Sequence, residues 1–229
     1  MEKTMYPLLK SYLESLNFSV KAEVHDVDIM AVKDELILLV EMKTTLNTAL
    51  MAQGVKRQAI SDYVYCAIPK PTYGIRKSKV FKDKLVLLKH LELGLLFVDI
   101  ENNCVETILD PKTPSVRHKK KRRLALLKEF QTRKTTYNIG GSTQTKIITA
   151  YREIALLALT FLKDGPQSTK ALRSYTQNKK VVSILQKNYY GWFTRVSHGV
   201  YGITEEGKSA LTDYKHVINE LKKYTSNMK

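Results

Sequence analysis

The feature that most constrains the fold is a run of five aliphatic residues, Leu36-Ile37-Leu38-Leu39-Val40, followed directly by Glu41-Met42-Lys43. A short apolar run with polar residues at its ends is typical of a buried β-strand. No uninterrupted aliphatic run in the chain approaches the ~20 residues that a helix needs to cross a bilayer. We therefore predict a strand over residues 35–43 and no transmembrane segment.

The segments around this strand alternate between helical and strand patterns. Apolar residues at three- and four-residue spacing predict helices over residues 6–18, 46–60 and 78–91. Short apolar or alternating segments predict further strands over residues 20–25, 27–32, 63–68, 94–100 and 104–109. The order α-β-β-β-α-β-α-β-β predicts an α/β domain over residues 1–110, with a central mixed sheet flanked by helices.

The pattern changes after residue 110. Residues 111–145 contain a basic run, a helical segment to about residue 133 and a turn-rich Gly140-Gly141-Ser142, so we predict a basic helical linker there. Residues 146–229 predict helices over 147–162, 168–175 and 178–188, a hairpin around residues 197–199 and a last helix over 205–224. Three helices and a hairpin wing are typical of a winged helix-turn-helix domain, which is a common DNA-binding module.

Charge also divides the chain at residue 110. Residues 1–110 contain 14 Lys and Arg against 15 Asp and Glu, whereas residues 111–229 contain 24 against 7. The excess of Lys and Arg over Asp and Glu that gives the formal net charge of +16 therefore lies entirely in the second half. Such a field attracts polyanions, most commonly nucleic acid, although a solvated basic surface is the plainer alternative. We predict DNA as the partner, and RNA would be attracted by the same field.

The two cysteines, Cys66 and Cys104, lie inside strand-like segments, and residues 1–7 lead into no apolar stretch of signal-peptide length. Disulfides are rare in reducing compartments, so this cysteine usage favours a reduced, cytoplasmic protein. We expect no membrane partner.

A pair of facing carboxylates is predicted beside the aliphatic run. If Asp34-Glu35 forms a two-residue hairpin loop, facing residues have numbers that sum to 69, which places Asp28 opposite Glu41 and Asp26 opposite Lys43. Because side chains alternate along a strand, one polar face then carries Asp28, Glu41 and Lys43.

This polar face has the chemistry of a metal site. Two ionised carboxylates at close range repel each other, and a divalent cation relieves the repulsion. Hard oxygen ligands select Mg2+ or Mn2+. The cation would polarise a phosphate oxygen and lower the pKa of a bound water, while Lys43 would orient the nucleophile or offset charge that develops on phosphorus.

The arrangement resembles the PD-(D/E)XK nuclease superfamily, with Asp28 as the motif's Asp and Glu41-Met42-Lys43 as its E-x-K. The resemblance implies an α-β-β-β-α-β core and a metal held by Asp28, Glu41 and the backbone carbonyl of Met42. It also places Gln53 where many relatives carry a glutamine beside the site. Val27 stands where proline is common in the superfamily, and Asp26 remains a rival to Asp28.

The resemblance extends into the second half of the chain. Three segments are similar to a bacterial family of uncharacterised PD-(D/E)XK phosphodiesterases with a C-terminal winged helix: residues 146–153, Gly140-Gly141-Ser142 and Tyr190-Gly191-Trp192-Phe193. The resemblance covers nearly the whole chain and implies phosphodiester hydrolysis, without a known substrate.

Each candidate also has a plainer explanation. E-x-K by itself is a weak pattern that occurs in many exposed strands. Gln53 and Arg57 share a face of an amphipathic helix and are either site residues or ordinary surface residues. Glu14 sits where some superfamily members supply another acidic ligand, although a solvated helix face explains it as well.

Several basic and polar residues are candidates for nucleic-acid contacts. In the helix predicted to read the major groove, Val181, Ile184 and Leu185 would pack inward. The candidate set has four parts. It takes the outward residues of that segment, two hairpin residues, five residues of the basic run and one residue of the first domain: Lys179, Lys180, Ser183, Lys187, Arg195, His198, Lys119, Lys120, Lys121, Arg122, Arg123 and Arg57.

The sequence therefore predicts a Mg2+-dependent nuclease that hydrolyses DNA and uses no small-molecule cofactor. The alternative from another class is a catalytically inactive DNA-binding regulator or scaffold with a nuclease-like fold. A homodimer would be needed for symmetric double-strand cutting, and nothing in the pattern requires one.

Overall fold

The computed structural model describes residues 2–113, 119–135, 138 and 147–226, which fall into two compact units. The first unit takes in the chain up to Phe130 together with residues 138–147, and the second takes in residues 131–137 and everything from Ile148 onward. The predicted Gly140-Gly141-Ser142 connector and residues 116–118 of the basic run lie outside the described residues. Within the described ranges, no helix has both the length and the apolar character required to cross a membrane.

The first unit is an α/β fold with a mixed sheet. Its elements are α1 (Glu2–Ser15), β1 (Ser19–Val24), β2 (Val27–Lys33), β3 (Leu36–Met42), α2 (Thr48–Gln58), β4 (Tyr63–Pro69), α3 (Tyr73–Lys77), α4 (Lys79–His90), β5 (Gly94–Asp99), β6 (Cys104–Leu109) and α5 (Lys120–Thr132). The described strands lie side by side in chain order. The β3-β4-β5 pairs are parallel and the other pairs are antiparallel. The predicted mixed sheet flanked by helices is confirmed, and it fits a restriction-endonuclease-like core.

The aliphatic run is uninterrupted because β3 is buried on both faces. Leu38 and Val40 belong to a core cluster that includes the apolar residues of α1. On the other face, Leu39 packs in a cluster with Leu126 and Phe130 of α5. Helix α2 begins where the Asn47 side chain accepts a hydrogen bond from the Leu50 amide at 2.9 Å, which caps the helix beside the end of β3.

The predicted register between β2 and β3 is confirmed. Ile29 faces Val40 and Lys33 faces Leu36, so the residue numbers of each pair sum to 69. The placement of Asp26 opposite Lys43 is wrong, because Val24 pairs with Val27 and leaves Asp26 in the tight turn between β1 and β2.

Part of the segment predicted as a linker packs within the first unit. Residues 120–130 of α5 belong to that unit, and Leu126 and Phe130, four residues apart on one helix face, are buried there. The physical reason is that this apolar pair covers the β2-β3 face of the sheet, where it meets Met30 and Leu39.

The second unit is mostly helical. Its elements are α6 (Ala150–Leu162), β7 (Gln167–Ser168), α7 (Thr169–Thr176), α8 (Val181–Lys187), β8 (Phe193–Ser197), β9 (Val200–Ile203), α9 (Glu205–Asp213) and α10 (Lys215–Ser226). The described strands form a small sheet in the order β7-β9-β8, with both pairs antiparallel. Ser168 caps α7 by accepting a hydrogen bond from the Ala171 amide at 3.1 Å.

Two predictions about the helices of this unit have different outcomes. The inward face of α8 is confirmed, because Val181, Ile184 and Leu185 are buried in the core cluster. The single last helix is wrong, since α9 ends before Tyr214 and α10 begins after it. Tyr214 is itself buried, and its ring lies 5.9 Å from the Trp192 ring, so core packing holds the break between the two helices.

Candidate active site

A buried carboxylate near the end of β3 forms the centre of the candidate site. Glu41 is 1% exposed, and its Oε1 accepts a hydrogen bond from Arg57 Nε at 2.5 Å. Its Oε2 is buried and has no hydrogen-bond partner among the described residues. On the neighbouring strand, Asp28 Oδ2 accepts a hydrogen bond from the Met42 amide at 2.8 Å, which fixes this carboxylate beside the E-x-K segment. The structure therefore brings Asp28 and Glu41 together.

Arg57, in the last turn of α2, connects two acidic residues. Besides Glu41, its Nη1 donates to Asp26 Oδ2 at 2.8 Å and its Nη2 donates to the Asp26 backbone carbonyl. The arginine side chain is 11% exposed, whereas that of Asp26 is 73% exposed. The sequence suggests Arg57 as a nucleic-acid contact, but the structure places its guanidinium between carboxylates.

The pKa values of Glu41 and Asp26 shift in opposite directions. Burial, followed by the negative charge of Asp28, raises the pKa of Glu41 from its ordinary 4.5 to about 7, against the opposing hydrogen bond from Arg57. Burial also favours a higher pKa for Asp26, but the hydrogen bond and charge of Arg57 outweigh it and lower that pKa. Burial and the charge of Glu41 raise the pKa of the nearby Cys66 thiol to about 12. The field around Glu41 is therefore negative and poorly solvated.

Lys43 lies just beyond the end of β3. Its amide donates to the Ala67 carbonyl at 3.1 Å, which continues the pairing with β4, and its Nζ is 3.9 Å from Glu2 Oε1. Glu14, the acidic candidate from the sequence, is exposed and pairs instead with Lys10 at 3.8 Å. Sequence reasoning missed Glu2, because the first helix was predicted to begin at residue 6 and begins at Glu2. An acidic residue in the first turn of that helix was the available signal.

Gln53 lies on α2, one turn before Arg57. Its Oε1 is buried and finds no hydrogen-bond partner within the described part of the chain. Buried amide and carboxylate oxygens are normally hydrogen-bonded in native proteins. Two such oxygens, Glu41 Oε2 on β3 and Gln53 Oε1 on α2, are therefore available as ligand atoms.

These residues fit a divalent cation. Asp28, Glu41 and Gln53 offer the oxygen donors that Mg2+ and Mn2+ prefer, and two of those oxygens are unbonded among the described residues. Arg57 holds the other oxygen of Glu41, which leaves Oε2 as the ligand atom that Glu41 can give. The Met42 carbonyl, implied as a ligand by the superfamily resemblance, stays a prediction.

A second acidic group lies where β4, β5 and β6 are adjacent. Ligand atoms of Asp99, Cys104 and Glu106 lie within 4.8 Å of one another. Lys70 Nζ donates to Asp99 Oδ2 at 2.9 Å and to Glu106 Oε1 at 2.5 Å. Its ammonium already neutralises part of the charge that would attract a cation.

The candidate nucleic-acid residues lie in both units. In the second unit, each of them is exposed: Lys179, Lys180, Ser183, Lys187, Arg195 and His198. In the first unit, Lys119, Lys120, Lys121 and Arg122 are exposed at the start of α5. Arg123 differs, because its Nη2 donates to Asp62 Oδ2 at 2.7 Å and to the Glu35 carbonyl. Its position between these partners makes it a structural anchor of α5.

Comparison with known proteins gives a family match in the second half of the chain. Residues 96–210 match the model of the family described as "Putative PD-(D/E)XK phosphodiesterase (DUF2161)", a span that does not include Asp28, Glu41 or Lys43. No curated protein matches the chain. A protein of unknown function from Silicibacter pomeroyi is 17% identical with a TM-score of 0.40, covering 58% of this chain and 85% of its own. An XisH family protein from Nostoc punctiforme is 16% identical with a TM-score of 0.36, covering 46% of this chain and 98% of its own.

Proposed function

This chain belongs to the PD-(D/E)XK phosphodiesterase family that its residues 96–210 match, and we propose that it is a metal-dependent nuclease that hydrolyses DNA. The observation that carries the proposal is the Glu41 carboxylate, which is buried beside Asp28 with one oxygen unbonded among the described residues. An incompletely satisfied buried carboxylate is costly, and a bound cation removes that cost. Buried carboxylates with strongly shifted pKa values cluster at functional sites.

Each of these residues has a distinct role in the proposed site. Glu41, Asp28 and Gln53 would hold Mg2+ or Mn2+, which when bound would polarise a phosphodiester oxygen and lower the pKa of an attacking water. The Met42 amide orients Asp28, and Arg57 fixes Glu41 so that Oε2 is the available oxygen. Packing of α2 against β3 and β4 holds this set in place.

Lys43 supplies the positive charge of the proposed reaction. Its side chain is 35% exposed, so the ammonium reaches solvent and a substrate phosphate, while its backbone is held by the Ala67 carbonyl. There it would orient the attacking water or stabilise negative charge on the phosphate oxygens in the transition state. Glu2 Oε1 lies 3.9 Å from Nζ and places a counter-charge beside the ammonium.

The second unit is proposed to be a winged helix-turn-helix that delivers the enzyme to DNA. Three observations support this: the succession α6, α7, α8; the hairpin β8–β9; and the pairing of β7 with β9. The exposed face of α8, with Ser183 and Lys187, would enter the major groove, while Arg195 and His198 on the hairpin would contact phosphate or the minor groove. The domain bounds, the cytoplasmic location and a homodimer stay predictions.

A cleavage assay with matched variants tests the proposal. Purified protein is incubated with linear, circular, single-stranded and branched DNA and with RNA, in Mg2+, Mn2+ or EDTA. We expect metal-dependent DNA cleavage that is lost in Lys43→Ala and retained in Lys82→Ala, which removes an exposed lysine of α4. Equal cleavage by the Lys43→Ala variant would contradict the proposed site. Binding of DNA without cleavage of any substrate would favour the regulator or scaffold instead.

A further inference from the structure

A cavity of about 390 Å³ in the first unit lies between the β1–β2 turn, the end of α2 and the start of α5. Its polar lining consists of His25, Asp26, Lys56, Arg57, Lys119 and Arg122. The Lys119 amide donates to the Ala59 carbonyl at 2.6 Å, so the start of α5 is anchored to the end of α2. The end of α2 and the start of α5, which carry the basic side chains of the cavity, are therefore packed together.

The charge of this lining is strongly positive. Four cationic side chains face a single carboxylate, and that carboxylate, on Asp26, is already held by Arg57. Lys56, Lys119 and Arg122 form no ion pair with any residue in the described part of the chain. The charge of Arg122 also acts on Asp26, but one carboxylate balances only part of the four positive charges. An anion bound between these cations would relieve the remaining repulsion.

The start of α5 adds to the positive field. Lys120, Lys121, Arg122 and Arg123 follow one another there, and the first turn holds no acidic residue. Unpaired amides give a helix N-terminus a partial positive charge, so basic residues in the first turn destabilise the helix. An anion in the adjoining cavity would stabilise this end of α5.

The volume of the cavity and its apolar lining residues indicate which class of ligand it can bind. The cavity volume is in the range of small-molecule sites and exceeds the room that a phosphate ion alone needs. Val55 and Ala125 are exposed apolar residues of the lining beside the cations, which suits a sugar or a base. We propose that this cavity binds the phosphate group of a nucleotide, with its sugar or base against Val55 and Ala125.

The cavity adjoins the proposed catalytic carboxylates. Arg57 lines the cavity and also donates to Glu41, so one side chain joins the two places. The inference deepens the proposed nuclease function and rests on it for the source of the nucleotide. That nucleotide is either the terminal nucleotide of a substrate strand or a free mononucleotide, which present the same phosphate chemistry.

Isothermal titration calorimetry in EDTA tests the cavity separately from cleavage. The probes are deoxyadenosine 5′-monophosphate, deoxyadenosine, and a short oligonucleotide with a 5′-phosphate or a 5′-hydroxyl. The Lys119→Ala/Arg122→Ala variant removes two cavity cations, and the matched control Lys82→Ala/Lys89→Ala removes two exposed charges of α4 that do not line the cavity. Circular dichroism melting checks that both variants fold.

We expect the monophosphate to bind the unmodified protein and the control equally, and to bind the Lys119→Ala/Arg122→Ala variant at least about tenfold more weakly. Deoxyadenosine should not bind. A preference for the 5′-phosphorylated oligonucleotide assigns the cavity to a strand end, and its absence assigns the cavity to free mononucleotides. Equal weakening in the control, or no monophosphate binding to the unmodified protein, overturns the proposal. Since no metal is present, binding here without cleavage in the earlier assay separates this inference from the nuclease function.

Discussion

Two clusters on the same sheet each combine two carboxylates with one cation, and the pKa of the more buried carboxylate shifts in opposite directions in the two clusters. In the first, Arg57 bonds Glu41 and Asp26. In the second, Lys70 bonds Asp99 and Glu106. The pKa of Glu41 is raised to about 7, whereas the pKa of Asp99 is lowered to about 2. Charge composition alone therefore does not determine what a cluster of this kind can do.

The difference lies in how many donors each carboxylate has. Asp99 accepts hydrogen bonds from the Asn102 amide group at 3.0 Å, from Lys70 and from the Asn102 backbone at 3.1 Å, all of which stabilise its charge. Burial and Asp28 act against the charge of Glu41, and its single donor is Arg57 among the described residues. The Asp99 cluster is satisfied by the protein itself, while the Glu41 cluster retains the capacity to bind a cation.

Removing the cation of each cluster should give the largest contrast in stability. Arg57→Ala leaves Glu41 buried without a counter-charge, and the free energy of unfolding should fall by about 3–5 kcal/mol. Lys70→Ala should change the urea midpoint much less, because the Lys70 side chain is more exposed than that of Arg57. Urea denaturation followed by circular dichroism measures both, and a larger loss in Lys70→Ala would contradict the comparison.

The rate of DNA cleavage should be the next largest difference between the two clusters. Glu41→Gln removes a proposed metal ligand while keeping the side-chain shape, and metal-dependent DNA cleavage should slow by about 10²- to 10³-fold. Glu106→Gln is the matched change in the Lys70 cluster and should leave the cleavage rate close to that of the unmodified protein. Initial rates in Mg2+ measure the contrast. If Glu106→Gln were the slower enzyme, the catalytic centre would have to be moved to the other cluster.

The effect of pH on stability should be smaller than the effects of the substitutions above. Its sign should be opposite for Glu41 and for Asp99. Between pH 4.5 and about 7 the folded protein keeps a proton on Glu41 that the unfolded chain has lost, so the free energy of unfolding falls as pH rises, by up to about 3 kcal/mol. Asp99 has a lowered pKa, so its contribution is present above pH 3.8 and is lost as pH falls toward 2.

Urea denaturation in EDTA across this pH range, with Glu41→Gln and Asp99→Asn beside the unmodified protein, measures the two contributions. Glu41→Gln should remove its part of the decline between pH 4.5 and 7, and Asp99→Asn should reduce the loss of stability in acid. An unchanged slope in Glu41→Gln would mean that this carboxyl titrates normally.

Local sequence information was enough to predict part of the site. The aliphatic run defined β3, and the two-residue loop fixed the register that brings Asp28 toward Glu41. Period-2 alternation then assigned the polar residues to one face. These predictions depend only on residues close together in the chain, which explains why they could be made.

The rest of the site depends on packing between distant segments. Arg57 reaches Asp26 only because α2 packs on the sheet next to the β1–β2 turn. The Lys70 cluster arises because β4, β5 and β6 are adjacent, which joins residues 70, 99 and 106. The cavity needs α5 to pack on the first unit, where the sequence predicted a basic helical linker. No periodicity within one segment encodes such contacts.

A titration with Mn2+ tests the central claim most directly, because it locates the cation without relying on turnover. Bound Mn2+ is measured by electron paramagnetic resonance for the unmodified protein, Glu41→Gln and Asp99→Asn. We expect a site in the unmodified protein that persists in Asp99→Asn and is lost or weakened at least about tenfold in Glu41→Gln. Loss of the site in Asp99→Asn, with full binding retained in Glu41→Gln, would contradict the account.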